Sequence, residues 1–187
     1  MIRMESPSFA FNSVDVPGPV YHFWHTLEGA SGYSTPQLVD KIISINRMAI
    51  EMKGSPLRNI VINSHGWDGG GGISIGGSGN WEASIRPGSV GAFSQLKGLN
   101  LGTIWLVACQ AARGADGKAL CQAIARNSGS QVVAADDDQD VGIWEGWRVL
   151  TSLYDNIDEF EGTVYSFTPV GGIRMIDPHA DIYTIME

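Results

Sequence analysis

Three short stretches of this chain are apolar almost without a break, and two longer ones repeat apolar residues at helical spacing. The short stretches are 59–63 (Asn-Ile-Val-Ile-Asn), 103–108 (Thr-Ile-Trp-Leu-Val-Ala) and 131–135 (Gln-Val-Val-Ala-Ala). A strand with one wet face alternates apolar and polar residues; a continuous run fits a strand covered on both faces, as in a parallel sheet. Residues 20–25 (Val-Tyr-His-Phe-Trp-His) and 163–167 (Thr-Val-Tyr-Ser-Phe) are rich in β-formers and are read as further strands.

The first helical pattern starts at Thr35, a capping residue, with Pro36 in the first turn, where its missing N–H is not needed. Leu38, Ile42, Ile45, Ala49 and Met52 then form one face, and Lys53-Gly54-Ser55-Pro56 stops it. The second runs over 116–127, with Leu120, Ala123, Ile124 and Asn127 on one stripe and Ser128-Gly129 as the stop. It lies between two of the apolar runs, which predicts a strand–helix–strand unit with a right-handed crossover.

Elsewhere the rhythm breaks. Residues 1–19, with Pro7, Pro17 and Pro19, read as an irregular lead-in. Half of the chain's 24 glycines fall within 66–102, where 73–75 and 80–83 read as a small hairpin and 90–96 as a short helical piece. Residues 136–140 (Asp-Asp-Asp-Gln-Asp) form an acidic loop, and Trp144 and Trp147 fall in a segment with no assignable pattern.

Length and charge narrow the classes. The 187 residues suit one domain spanning 1–187, and 43% hydrophobic against 17% charged residues argues against disorder. A net charge of −8, with no basic run, argues against nucleic acid or an anionic membrane surface as partner. No apolar run approaches the ~18 residues of a membrane span, and the N-terminus has no apolar signal-peptide core. The expected location is the cytoplasm, or outside the cell by a route that uses no signal peptide. Two cysteines, Cys109 and Cys121, are too few for a disulfide framework and are expected as free thiols.

The candidate chemistry lies at two strand ends. The run 60–62 leads through Asn63 and Ser64 into His65-Gly66, and the run 104–108 leads into Cys109. Ligands of open parallel sheets bind beyond the carboxyl ends of the strands. If these strands are parallel neighbours, His65 and Cys109 emerge at one edge, and a thiol beside an imidazole is a nucleophile–base arrangement. Gly66 permits close backbone approach, and the amides of Gly66 and Cys109 are candidate oxyanion donors. Trp67, Asp68 and Asp136 stand next to these ends and are candidate substrate contacts. A lone cysteine ending a core strand is usually a small buried hydrophobe; the matching His-Gly ending is what favours the reactive reading.

Other motifs add nothing. Cys121 sits inside the second helix as core. His22 and His25 lack metal-ligand spacing, and no metal or cofactor is expected. His179 sits in a turn-like Asp-Pro-His. A phosphate-binding loop would need Gly at 112, which is Ala, and Ser or Thr at 119, which is also Ala. An α/β-hydrolase esterase would need its Gly-x-Ser-x-Gly at a strand-to-helix elbow; the one match, Gly72-Ile73-Ser74-Ile75-Gly76, lies in the segment read as a hairpin.

The order "apolar strand–Ser64-His65-Gly66", glycine-rich segment, "apolar strand–Ala108-Cys109", over roughly 57–136, resembles the caspase-like (clan CD) cysteine peptidases in a bacterial-type form. The resemblance implies a three-layer α/β fold with a mainly parallel central sheet flanked by helices. It implies a cysteine endopeptidase acting on a protein or peptide substrate, with His65 as base, Cys109 as nucleophile, and the Gly66 and Cys109 amides as oxyanion donors. Cys109 is followed by Gln110-Ala111-Ala112-Arg113-Gly114 rather than the Arg/Gln-Gly pairing of caspases, so aspartate specificity and activation by linker cleavage are not implied. The alternative is a non-catalytic binding domain on the same scaffold.

Overall fold

The structure is a computed structural model and describes residues 1–16, 20–139 and 152–178. Its strands are β1 (Ile2–Arg3), β2 (Ser8–Asn12), β3 (Val20–His22), β4 (His25–Glu28), β5 (Asn59–Asn63), β6 (His65–Gly66), β7 (Ile73–Ser74), β8 (Thr103–Val107), β9 (Val132–Ala135), β10 (Ser152–Tyr154), β11 (Asn156–Ile157), β12 (Val164–Phe167) and β13 (Ile173–Met175). The helices are α1 (Thr35–Lys53) and α2 (Gly114–Ser128), with 3-10 turns at Trp81–Ala83 and Val90–Leu96.

The centre is a seven-stranded sheet in the order β13-β12-β9-β8-β5-β2-β4. From β4 to β9 every neighbouring pair is parallel, while β12 and β13 continue antiparallel. The three continuous apolar runs are β5, β8 and β9, side by side at the middle of the sheet. Alternate residues of these strands feed two separate cores. Phe9, Phe11, Ile60, Ile62, Ile104, Leu106, Val132 and Ala134 pack with α1, α2 and the Val90–Leu96 turn. Ala10, Val61, Trp105, Val133 and Ala135 pack on the other side with Ile2, Tyr21 and Ile157.

Among the described residues both helices therefore lie on one face, and the other carries the β1·β11 and β3·β10 pairs. Chain direction explains this. The link from β2 to β4 steps one way across the sheet, and the links β4–β5, β5–β8 and β8–β9 step the opposite way. Crossovers of a single hand must put opposite steps on opposite faces.

Several sequence expectations need correction. The lead-in is not irregular: β2, all five residues buried, is an interior strand between β4 and β5. Prolines at 7, 17 and 19 mask it in the sequence, yet Pro7 precedes the strand, where no ladder N–H is lost. Residues 20–25 do not form one strand. The chain turns at Phe23, whose N–H bonds Thr26 Oγ1 at 3.0 Å, so that β3 and β4 serve different sheets.

Helix α1 is capped by Ser34 rather than Thr35: Gln37 Oε1 accepts from the Ser34 N–H (2.9 Å) and hydroxyl (2.8 Å). Thr35 is buried, and its hydroxyl donates to Ser84 O at 3.1 Å instead. The glycine-region hairpin also differs. β7 pairs with β6, not with 80–83, which form a 3-10 turn capped by Asn80 Oδ1. Trp144, Trp147, Asp140 and His179 lie outside the described residues.

Asn12, buried at the end of β2, holds the first loop. Its amide donates to Tyr21 O (3.0 Å), and its carbonyl accepts from Tyr21 N–H (3.0 Å) and Asn63 Nδ2 (2.9 Å). Asn12→Ala would leave the buried Tyr21 peptide groups without these partners. An unmatched buried polar group costs ~1–3 kcal/mol. The variant is expected to lose about 3 kcal/mol in urea unfolding; a loss near zero would mean that other groups replace Asn12.

Candidate active site

The parallel strands, taken in chain order as first to fifth, lie in the order 2-1-3-4-5. In such a sheet the connections diverge between the first and third strands, opening a crevice at their carboxyl ends. Those strands are β2 and β5. Asp15 follows the first and His65 the third, while Cys109 follows the neighbouring fourth strand, β8, at the same edge.

Register brings the last two together. Asn63 pairs with Val107, and the Ser64 N–H continues the ladder to Val107 O at 3.0 Å. Gly66 then lies directly on Cys109. A Cβ at Gly66 would overlap Cys109 O, and would lie 2.6 Å from its carbonyl carbon and 3.2 Å from its nitrogen. Only glycine permits this approach, and it is a close-approach rather than a positive-φ requirement.

The imidazole is oriented by a residue that the sequence reading passed over. His65 Nε2 is 2.8 Å from Asp15 O, a carbonyl that can only accept, so Nε2 donates there, and in the neutral ring Nδ1 has the lone pair. Asp15 Oδ1 is 4.0 Å from the same ring nitrogen. Burial alone would push the Asp15 carboxyl up, but the N–H and hydroxyl of Ser78 and the positive charge of protonated His65 outweigh it and hold the pKa below its ordinary value. Charged Asp15 thus favours the folded state. Its contribution is complete above the ordinary carboxylate range and is lost as pH falls through the lowered value. Asp15→Asn is expected to lower Tm at pH 7, with the two melting temperatures converging once the solution is acid enough to protonate Asp15 in the folded protein. Parallel curves throughout would show that the Asp15 charge does not stabilise the loop.

Cys109 is half-buried and unpaired with Cys121; both thiols are free. Its sulfur contacts the backbone of Gln139, accepting from the N–H at 3.4 Å and facing the carbonyl at 3.9 Å. Among the described residues no hydrogen bond joins the imidazole to the sulfur; each is held by its own loop. The residue after Cys109, Gln110, has φ +55, a left-handed conformation uncommon outside glycine, so the chain turns sharply as it leaves the strand. Cys121 is different in kind. It is fully buried in α2, donates to Ala111 O at 3.4 Å, and burial pushes its pKa far up, which leaves it inert.

The remaining candidates spread outward. Trp67 donates to Ser84 Oγ (3.0 Å) and meets Trp81 edge-on, with 4.9 Å between ring centroids. Asp68 is exposed. Asp136 is tied to β12, where its carboxylate accepts from Thr163 N–H (2.8 Å) and Tyr165 OH (3.2 Å). Past the glycine loop, a groove of about 570 Å³ is lined by Gly70, Gly71, Trp81, Val90, Asp116 and Leu120. A concavity of about 600 Å³ opens at the opposite, amino-terminal edge beside Asn59, Trp105 and Gln131. Its lining holds no cysteine or histidine.

Among the described residues no group of His, Cys, Asp and Glu could hold a metal ion, and no helix is long and apolar enough to cross a membrane. Compared with protein-family models and with curated proteins, the chain matches none. The structure defines an α/β protein with a mostly parallel seven-stranded sheet and a histidine and a cysteine on adjacent strand ends.

Proposed function

We propose that the protein is a cysteine endopeptidase with a Cys109–His65 dyad on a caspase-like scaffold. The observation that supports this reading is the close approach of Gly66 to Cys109, with the preceding His65 bonded to Asp15 O and Cys109 half-buried. In the absence of substrate, catalytic hydrogen bonds are commonly long and tighten on binding.

The steps follow from the groups present. His65 Nδ1 takes the thiol proton, and the Cys109 sulfur forms a bond to the peptide carbonyl carbon. The carbonyl oxygen becomes an oxyanion, for which the Gly66 and Cys109 amides are the proposed donors. Collapse breaks the C–N bond, and the leaving amine receives its proton from the imidazolium. Water then attacks the thioester while giving a proton to His65. The acid product leaves, and the thiol is restored.

Cleavage profiling of the full chain on a peptide library, with Cys109→Ala alongside, tests the reading. Cleavage by the wild type alone supports it; no cleavage by either protein, or equal cleavage by both, rejects it. A non-catalytic binding domain is the second reading. It is favoured by the contacts of the sulfur with the Gln139 backbone and of the imidazole with Asp15 O.

A further inference from the structure

Gln110 uses every polar group that it has. Its N–H donates to Asp137 O (2.9 Å), and its carbonyl accepts from Arg113 N–H (2.9 Å). Its side-chain oxygen accepts from Gly69 N–H (2.8 Å), and its side-chain nitrogen donates to Asp138 Oδ1 (2.8 Å). The carboxamide thus ties the loop after His65 to the strap 136–139, and the same strap rests the backbone of Gln139 on the Cys109 sulfur. The strap is anchored at its far side too, where the Gln139 side chain bonds Glu161 O (3.3 Å) and Glu161 N–H (3.2 Å).

We propose that Gln110 is a positioning residue that clamps this strap over the sulfur, so that the structure is the covered state of the thiol and release of the Gln110–Asp138 bond uncovers it. The proposal rests on Cys109 being the reactive thiol, but its readout is accessibility rather than turnover, so the two can fail separately. An amide is required because one end must accept from an N–H while the other donates to a carboxylate. Glutamate would keep the first bond and set a like charge against Asp138.

The test is the rate of Cys109 alkylation by iodoacetamide in the full chain, followed by peptide mapping. The buried Cys121 is the internal control, since its labelling reports unfolding. Loss of a charge-assisted hydrogen bond shifts a two-state opening by about tenfold. Gln110→Glu and Asp138→Ala are therefore each expected to speed Cys109 labelling about tenfold with Cys121 unlabelled. Asp138→Asn, which still offers an acceptor, is expected to keep the wild-type rate. Should Gln110→Glu expose Cys121, the pair at exposed position 138 decides alone. Wild-type labelling in Asp138→Ala overturns the clamp. So does an Asp138→Asn rate as fast as that of Asp138→Ala, which would trace the effect to charge and not to the bond.

Discussion

On the proposed mechanism, Cys109→Ala is expected to lower peptide hydrolysis by roughly 10⁴–10⁶-fold, the cost of removing a covalent nucleophile that acts as a unit with its base. His65→Ala should cost a similar factor, and the double variant little more, because neither group acts without the other. The fold should be almost untouched. Cys109 is half-buried at a strand end, and a small residue there changes stability by less than ~1 kcal/mol. A folded Cys109→Ala protein with wild-type turnover would remove the sulfur from the mechanism. Turnover lost together with the unfolding transition would make Cys109 a structural residue.

Gly66→Ala should damage fold and site together. The added methyl meets backbone atoms of Cys109, which cannot rotate away as a side chain would, so the ends of β5 and β8 must separate. Overpacking in a tight core costs ~1–3 kcal/mol and more where the backbone must shift. We expect a loss of about 3 kcal/mol in urea unfolding, and a Cys109 whose alkylation rate no longer matches that of the wild type. Gly91→Ala is the matched control, since a Cβ there meets nothing within 4 Å and needs no left-handed backbone. It should change stability by less than ~1 kcal/mol. Equal effects at 66 and 91 would show that the close approach of Gly66 to Cys109 is not what requires glycine.

How far the sequence reached can be judged element by element. The runs that became β5, β8 and β9 were legible because burial on both faces removes polar residues from a strand, and composition records that directly. Helix α1 was legible because its stripe of Leu38, Ile42, Ile45 and Ala49 is buried, although Met52 at its end is exposed, and because its proline and terminal glycine agree, with Gly54 taking the left-handed φ of +72 that the stop requires. Strand β2 was not legible. Its Ser-Phe-Ala-Phe-Asn is as long as β5, but the prolines at 7, 17 and 19 make the segment read as irregular, and its position inside the sheet comes from neighbours far along the chain. The pairing of β6 with β7 was missed for a related reason. A two-residue ladder carries no periodicity, and only the Ile73–Ile85 bridge and its surroundings select it.

The site divides the same way. Residue types and strand endings singled out His65, Gly66 and Cys109. Asp15, Gln110 and Gln139 gave no local signal, since each acts through a backbone carbonyl, a turn or an amide bridge that exists only once separate loops meet. Local pattern thus reaches an α/β chain, its central strands and helices, and the two side chains that end adjacent strands, because burial and capping act on neighbouring residues. Which strand lies beside which, that both described helices share one face, and which groups hold the imidazole and cover the sulfur follow from the folded arrangement alone. Those are contacts between distant segments, and no local pattern of residues encodes a partner that far away.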